Sequence, residues 1–279
     1  IPGGGGAMNP KSVQFFMASG AMALGQTKGN YPAVEAILSC LYEGSIVPMD
    51  TALRIESKYI TKLLMGATSK NMIRTLFLNK NAADKGAGRP EGVPTVEIKK
   101  VGVLGCGLMG AGIAHVTAKA GMEVISLDRN MEEAQKAIAY SQKILDKKVK
   151  RGRMTKEKAD AFLARITPTD DYNLLKDVDL IIEAVFERPD VKADVIKKTE
   201  AVIGKDVIFA SNTSTLPITG LAKNSERPDQ FIGMHFFSPV EKMPLLEIIP
   251  GDETGAKALA VALDYNKKIR KTPIVVKDV

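Results

Sequence analysis

A glycine-rich turn between a short apolar run and a helical pattern constrains this chain more than any other feature. The segment VGVLGCGLMGAGIAHVTAKAG carries Gly105, Gly107 and Gly110 in the spacing G-x-G-x-x-G. A strand pattern precedes the glycines, an amphipathic helix pattern follows them to Gly121, and a second strand pattern comes next. Asp128 closes that second strand 18 residues after Gly110, near the spacing of about 20 that is typical of a dinucleotide fingerprint. The pattern therefore predicts a βαβ unit that binds a dinucleotide at the turn.

Each residue of this turn has a physical task. Gly105 permits the tight turn, Gly107 lets the backbone approach a pyrophosphate, and Gly110 lets helix and strand pack closely. The helix N-terminus presents unpaired N–H groups to the phosphates. Asp128 suits ribose hydroxyls and repels a 2′-phosphate, so we predict NAD rather than NADP, although Arg129 beside it softens that repulsion. The alternative is a glycine-rich turn without a ligand.

The rest of the second half repeats the alternation of strand and helix. Such a rhythm is typical of a largely parallel sheet with crossover helices, whose strands are apolar on both faces. We predict an α/β fold, a Rossmann-type doubly wound and mostly parallel sheet, preceded by a small all-helical segment. The predicted strands are KKVGVLG, MEVISLD, VDLIIEAV, DVIFASN, FIGMHFF, LLEIIP and TPIVVKD.

The chain divides at a stretch that is rich in glycine and proline. Residues 81–95, NAADKGAGRPEGVPT, lack apolar periodicity and read as a linker. Before them, YPAVEAILSCLYEG predicts a helix that ends at Gly44, and RIESKYITKLLMGATSKNMIRTLF predicts helices broken near Gly66. We therefore predict a helical segment with its linker over residues 1–95 and a nucleotide-binding domain over residues 96–279.

Composition excludes several classes of protein. The chain of 279 residues is 45% hydrophobic and 25% charged, and it has no apolar run near the roughly 18 residues that a membrane span needs. Its two cysteines, Cys40 and Cys106, fit a reducing compartment without disulfides or a metal site. The net charge of +7 is spread along the chain without a nucleic-acid motif, so we predict no nucleic-acid partner.

The start IPGGGG, without methionine, indicates a piece of a longer protein.

One local excess of positive charge stands out. The segment Lys143 to Lys158, KILDKKVKRGRMTKEK, carries eight basic residues against two acidic ones. A solvated helical face explains such a run. The alternative is a binding site for the phosphates of an anionic substrate.

His235, one of only two histidines, lies in the pattern MHFFSPVEKMPLLEII with a single glutamate, Glu247, on the next apolar run. Both runs read as strands, and the six residues SPVEKM between them suit a hairpin-like return. A symmetric return places the two side chains opposite each other in an antiparallel pair, with Cβ atoms about 4.5–5.5 Å apart. A carboxylate there orients the imidazole for general-base catalysis. The alternative for His235 is a half-buried structural histidine. His115, in the helix that follows the glycine turn, is interpreted as a packed helix residue without a role in catalysis.

Three motifs in order carry a family resemblance: GCGLMGAGIA, FASNTSTLPIT and MHFFSPVEKMPLLEII. With them the second half resembles L-3-hydroxyacyl-CoA dehydrogenases. The first half resembles the helical tail and linker that join an enoyl-CoA hydratase to that dehydrogenase in the fatty acid oxidation complex alpha subunit. The resemblance implies a hydratase core before Ile1 and a further helical domain after Val279.

The resemblance also implies roles for single residues. His235 is implied as the catalytic base and Glu247 as its partner, and Ser214 and Asn212 as contacts of the substrate hydroxyl and the nicotinamide end. Ser238 departs from the asparagine of many relatives, which puts one cofactor or substrate contact in doubt. The remaining cofactor-binding positions that the resemblance implies are Leu108, Met109, Ala184, Val185, Phe186, Glu187 and Lys192.

The function that the resemblance implies is NAD-dependent oxidation of L-3-hydroxyacyl-CoA to 3-ketoacyl-CoA in fatty acid β-oxidation. Acyl-CoA is then the substrate, a thiolase subunit the partner, and the cytoplasm the expected location, with the mitochondrial matrix as the alternative. Two other readings stay open: a nucleotide-binding or scaffolding fragment without turnover, and a dehydrogenase of small β-hydroxyacids. The second of these more naturally uses a lysine base, which the pair of His235 and Glu247 disfavours.

Overall fold

The protein, described over residues 9–278 of a computed structural model, divides into a helical unit, Ile1–Asn81, and an α/β unit, Ala82–Val279. The predicted helix end at Gly44 and the predicted break at Gly66 are both present. The first helix of the helical unit was not predicted as a separate element, because its sequence contains two glycines and shows little apolar periodicity. The helices are α1 (Pro10–Thr27), α2 (Pro32–Gly44), α3 (Met49–Met65), α4 (Ala67–Met72), a π-helical stretch (Ile73–Asn79) and α5 (Lys80–Asp84).

The helices of the first unit keep their apolar side chains largely in solvent. Among residues 9–81 only Ser12 is buried. Met17, Leu64 and Phe77 are each more than half exposed. This unit therefore does not enclose a hydrophobic core of its own within the described residues.

The predicted linker, residues 81–95, begins inside α5 and then continues without a helix or strand. The guanidinium of Arg89 makes two hydrogen bonds of 2.9 Å to the carboxylate of Asp264. It also donates to the carbonyl oxygen of Val93 at 2.8 Å. Such a bidentate pair fixes the linker against the α/β unit, so this segment is ordered despite its composition.

The α/β unit contains all seven predicted strands and one more. The additional strand, ITPT, carries a proline and two threonines, so its pattern is not that of a buried strand. The strands are β1 (Lys100–Leu104), β2 (Glu123–Leu127), β3 (Ile166–Thr169), β4 (Leu180–Glu183), β5 (Ile208–Ser211), β6 (Phe231–Phe236), β7 (Leu245–Ile249) and β8 (Thr272–Val275).

Helices connect these strands and cover the sheet. They are α6 (Leu108–Lys119), α7 (Met131–Ala134), α8 (Lys136–Lys150), α9 (Lys156–Leu163), α10 (Pro189–Glu200), α11 (Ile218–Ala222) and α12 (Ala256–Ile269), with 3₁₀ turns at Tyr172–Leu175 and Pro228–Gln230.

The eight strands form one sheet in the order β3-β2-β1-β4-β5-β6-β7-β8. All neighbours are parallel except β6 and β7. The chain builds outward from β1 to β3, returns to β4 beside β1, and then builds outward on the other side. This reversal is the switch point at which doubly wound sheets bind their ligands, and the predicted fold class is confirmed. Strand β3 lies at the edge, where a proline is tolerated.

The core lies on both faces of the sheet. On one face, Val101 and Val103 of β1 pack in the same buried cluster as Ile113 of α6. On the other, Ile181 of β4 packs with Ile196 of α10. Because both faces are covered, the polar groups that matter for function are left at the carboxyl ends of the strands.

Candidate active site

The glycine turn joins β1 to α6 at the carboxyl edge of the sheet. Gly105 has a φ of +87°, and a Cβ at this residue would lie 2.7 Å from the carbonyl oxygen of Ala184. Only glycine adopts this conformation without strain. A Cβ at Gly110 would lie 1.7 Å from the carbonyl oxygen of Gly105, so no side chain fits there. Two of the three glycines are therefore required by the turn itself.

Gly107 differs, because a Cβ built on it meets no atom within 4 Å. It is the N-cap of α6, whose first backbone N–H groups have no acceptor inside the helix. Open space in front of a helix N-terminus suits a diphosphate, which the backbone approaches with no side chain between. Leu108, 63% exposed, and the half-buried Met109 follow directly. The residues of this turn therefore fit the pyrophosphate of NAD.

Asp128 lies directly after β2, beside the glycine turn. Its Oδ2 accepts a hydrogen bond of 2.6 Å from the N–H of Cys106, and its Oδ1 accepts one of 2.7 Å from the N–H of Arg129. Each oxygen keeps a further lone pair for a ribose hydroxyl. The side chain of Arg129 lies 3.6 Å from Glu133 and not against Asp128. The repulsion of a 2′-phosphate by Asp128 is therefore less softened than the sequence suggested.

A buried ion pair lies at the carboxyl end of β4, and sequence reasoning missed half of it. Lys192 of α10 is buried, and its Nζ lies 2.8 and 3.0 Å from the two carboxylate oxygens of Glu183. Glu183 is also buried and accepts from the N–H of Val185 and the hydroxyl of Ser211, both at 2.7 Å. The resemblance implies Lys192 as a cofactor contact; in the structure Lys192 is buried and pairs with Glu183, which the sequence did not single out.

Glu187 completes this cluster on the solvent side. Its Oε2 lies 3.2 Å from Nζ of Lys192, and its Oε1 accepts from the N–H of Ser214 at 3.0 Å and from the hydroxyl of Thr213. Burial alone raises the pKa of Glu187, but the hydrogen bond from Thr213 and the charge of Lys192 outweigh burial and hold that pKa below its ordinary value. Glu187 is therefore anionic near neutral pH, and it joins the ends of β4 and β5.

His235 and Glu247 are Cα partners in the antiparallel pair β6–β7. Nδ1 of His235 lies 2.7 Å from Oε2 of Glu247, and the two side chains are 21% and 27% exposed. The ring of Phe237 lies 4.7 Å from the imidazole, centroid to centroid. The structure therefore brings the two residues together as the strand pattern predicted, in a place that a ligand is able to reach.

The remaining predicted residues lie along the same edge of the sheet. Asn212, after β5, accepts a hydrogen bond of 2.8 Å from the N–H of Phe236, which ties β5 to the strand that carries His235. Ser214 and Ser238 are exposed. The strand end after β4 contains the half-buried Ala184 and Val185 and then Phe186, which is 78% exposed.

The basic segment lies on α8 and α9, which pack against each other as a helical hairpin. Most of its lysines are exposed, as a solvated face requires. His115 of α6 is buried, with its Nδ1 3.1 Å from the hydroxyl of Ser141 on α8. Burial, followed by the charge of Lys148, lowers the pKa of His115 to about 4. It is a packed, neutral histidine, as interpreted from the sequence.

In residues 9–278 no group of three or more His, Cys, Asp or Glu residues is arranged to hold a metal ion. Within the same residues no helix has both the length and the apolar character to cross a membrane.

The fold and this edge define the class: a doubly wound NAD-binding domain of the oxidoreductase type. Comparison with known families then identifies the protein family within this class. The model of the family "3-hydroxyacyl-CoA dehydrogenase, NAD binding domain" matches residues 100–279. The chain belongs to this family.

Known proteins are similar over different parts of the chain. The fatty acid oxidation complex subunit alpha of Shewanella halifaxensis is 41% identical over 264 residues, which is 94% of this chain and 37% of that protein. The crystal structure of (S)-3-hydroxybutyryl-CoA dehydrogenase from Ralstonia eutropha is 39% identical, with a TM-score of 0.63 over 66% of this chain and 65% of the other. The 3-hydroxybutyryl-CoA dehydrogenase of Escherichia coli has the same TM-score at 32% identity, over 66% of this chain and 39% of the other. The chain thus spans little more than a third of the alpha subunit that it matches.

Proposed function

We propose that this chain provides the NAD site and the catalytic base for the oxidation of L-3-hydroxyacyl-CoA to 3-ketoacyl-CoA. The observation that carries the proposal is the 2.7 Å contact between His235 and Glu247 on the edge that also holds the glycine turn. A histidine held by a carboxylate beside a dinucleotide site provides a general base for the oxidation of an alcohol.

The contact supports a different role for each nitrogen of the His235 ring. An ionised carboxylate only accepts hydrogen bonds, so Nδ1 carries the proton that points to Glu247. Nε2 then has the lone pair, and it accepts the proton of the 3-hydroxyl as the C–H bond at C3 breaks. Glu247 stabilises the imidazolium that forms. NAD, when bound, supplies the hydride acceptor.

The neighbouring residues support this assignment. Asn212 holds the strand of His235 against β5, which limits the movement of the base. Ser214 lies one strand away with its backbone fixed by Glu187 and its side chain exposed. We propose that its hydroxyl contacts the substrate hydroxyl or the nicotinamide end, and that Ser238 contributes a weaker contact than an asparagine does.

The substrate and partners follow from the similar proteins rather than from the site. The Ralstonia eutropha and Escherichia coli proteins are 3-hydroxybutyryl-CoA dehydrogenases, and the Shewanella halifaxensis protein is a subunit of a fatty acid oxidation complex. We propose an acyl-CoA substrate, an enoyl-CoA hydratase activity in the parent protein, and a thiolase subunit as its partner.

Turnover with the two enantiomers of 3-hydroxybutyryl-CoA tests the proposal. The protein encoded by the longest reading frame that contains this chain should reduce NAD with the L enantiomer and not with the D enantiomer. Absence of turnover with the L enantiomer, in a protein that binds NAD, contradicts the proposal and favours a nucleotide-binding fragment without turnover.

A further inference from the structure

The polar cluster at the ends of β4 and β5 has an unequal number of charges. It consists of one ammonium, Lys192, between two carboxylates, Glu183 and Glu187. The nearby pair of Arg188 and Asp190, 2.5 Å apart, is exposed and balances itself. The cluster therefore has a net charge of −1.

The excess negative charge falls on Glu187. Nζ of Lys192 lies 2.8 and 3.0 Å from Glu183 but 3.2 Å from Glu187. Glu183 is buried together with the ammonium, whereas the side chain of Glu187 is 35% exposed. Because Glu183 and Lys192 neutralise each other in the interior, the carboxylate at the surface of the site is left partly uncompensated.

The sheet topology places this charge in one half of the cofactor site. A dinucleotide lies across the switch point, with one mononucleotide over each half of the sheet. Asp128 follows β2, and its position is the one that contacts the ribose on the adenosine side. The cluster follows β4 and β5, on the other side of the switch point. The nicotinamide half of the cofactor therefore lies on the side of the cluster.

We propose that the cluster of Glu183, Lys192 and Glu187 favours the oxidised cofactor over the reduced one. The oxidised nicotinamide ring carries a positive charge and the reduced ring carries none, so a net charge of −1 nearby attracts only the oxidised form. Glu183 acts as a positioning residue, since it neutralises Lys192 and leaves Glu187 to face the ring. The inference deepens the proposed function, on which it rests, because it concerns the direction in which the dehydrogenase site is poised.

Calorimetry with three ligands tests the inference: NAD⁺, NADH and ADP-ribose, which lacks the nicotinamide. Any effect of a substitution on the diphosphate is common to all three, so the ratio of the NAD⁺ and NADH affinities isolates the ring charge. Glu187→Gln removes the excess charge and keeps an oxygen for the N–H of Ser214. We expect this variant to shift the ratio of the NAD⁺ and NADH affinities about tenfold toward NADH, because it removes one charge interaction across a partly exposed site.

Two further variants serve as a second test and as the control. Glu183→Gln also brings the net charge to zero, away from the surface of the site, and should shift the ratio in the same direction. Asp128→Asn removes a carboxylate from the adenosine half and should change all three affinities by the same factor. Melting temperatures of the unliganded variants, read by circular dichroism, show whether Glu183→Gln folds, and Glu187→Gln remains decisive if it does not.

The outcomes separate this inference from the function on which it rests. A ratio that stays constant in Glu187→Gln, in a chain that binds all three ligands, overturns the role of the cluster and leaves the dehydrogenase proposal intact. A shift of equal size in Asp128→Asn also overturns it, because the effect is then not specific to the nicotinamide half. A wild-type chain that binds none of the three ligands overturns both.

Discussion

Nδ1 of His235 lies 2.7 Å from Oε2 of Glu247 across the antiparallel pair β6–β7, with the two residues in direct register. In a pair of strands, residues in register project to the same face, so the contact is built by the backbone and does not depend on a flexible loop. The position of the base is therefore set by the sheet.

His235→Gln, in the longest reading frame that contains this chain, should lower kcat by about 10²–10⁴-fold, the usual contribution of a general base. NAD affinity should stay nearly unchanged, since the base acts on the substrate. Glu247→Gln should lose less, because the amide oxygen still orients Nδ1 but provides no charge for the imidazolium. The control is Glu253→Gln, which makes the same carboxylate-to-carboxamide change at an exposed residue after β7. Loss of NAD binding in His235→Gln would point to a structural histidine.

The chain should bind NAD more tightly than NADP, because Asp128 complements ribose hydroxyls and repels a phosphate. Asp128→Asn keeps an acceptor for the N–H of Cys106 and should reduce the ratio of NAD affinity to NADP affinity about tenfold. Asp128→Ala should narrow it too but also loosen the glycine turn, which loses that acceptor. Calorimetry with both cofactors measures the difference. Equal affinities in the wild-type chain contradict the assignment of Asp128.

The basic hairpin of α8 and α9 should contribute to the binding of the phosphates of coenzyme A. Reversal of Lys147, Lys148 and Lys150 to glutamate should weaken acyl-CoA binding and its dependence on salt while sparing NAD. Reversal of Lys197, an exposed lysine of α10, is the matched control. If acyl-CoA affinity does not change, the hairpin is a solvated face.

His115 should make the stability of the α/β unit depend on pH. Its pKa is lowered from 6.5 to about 4, with burial as the largest cause. The unfolded chain therefore binds more protons in that range, and stability is fully present above about pH 6.5 and lost as the pH falls toward 4. The loss should reach about 2 kcal/mol at about pH 5. Urea unfolding of the wild type and of His115→Gln at two pH values measures how the free energy of unfolding changes with pH. An equal change in both proteins contradicts the prediction.

The 279-residue chain by itself should bind NAD but turn over slowly. The resemblance implies that a following helical domain forms the second wall of the acyl-CoA cleft, and positioning and exclusion of water depend on that wall. Reduction of acetoacetyl-CoA by NADH, compared between this chain and the longest reading frame that contains it, tests the prediction. A similar kcat/KM at both lengths contradicts it.

Several parts of the site were predictable because they depend on neighbouring residues. The roles of Gly105 and Gly110 follow from a tight turn within a few residues. The pairing of His235 with Glu247 follows from a short return and from the two-residue period of strands, which together determine the register. In each case the chain separation is small, so the local pattern leaves few alternatives.

Other parts were not predictable, and Glu183 is the clearest. In the sequence it is one polar residue at the end of an apolar run, and nothing in the pattern marks Lys192 as its buried partner. Their contact needs α10 to fold back on β4, and the hydroxyl of Ser211 comes from a different strand, 28 residues away. Strand β3 was missed for a related reason, since only its place at the edge of the sheet makes its proline acceptable.

The sequence by itself determined the dinucleotide turn, the alternation of strands and helices, and the register of the strand pair that holds His235 and Glu247. Only the tertiary structure decided that Lys192 is buried, that Glu183 neutralises it, and that Glu187 keeps the excess charge at the surface of the site. The physical reason is that turns and registers depend on steric limits between neighbours, whereas burial and charge balance depend on which distant elements pack together.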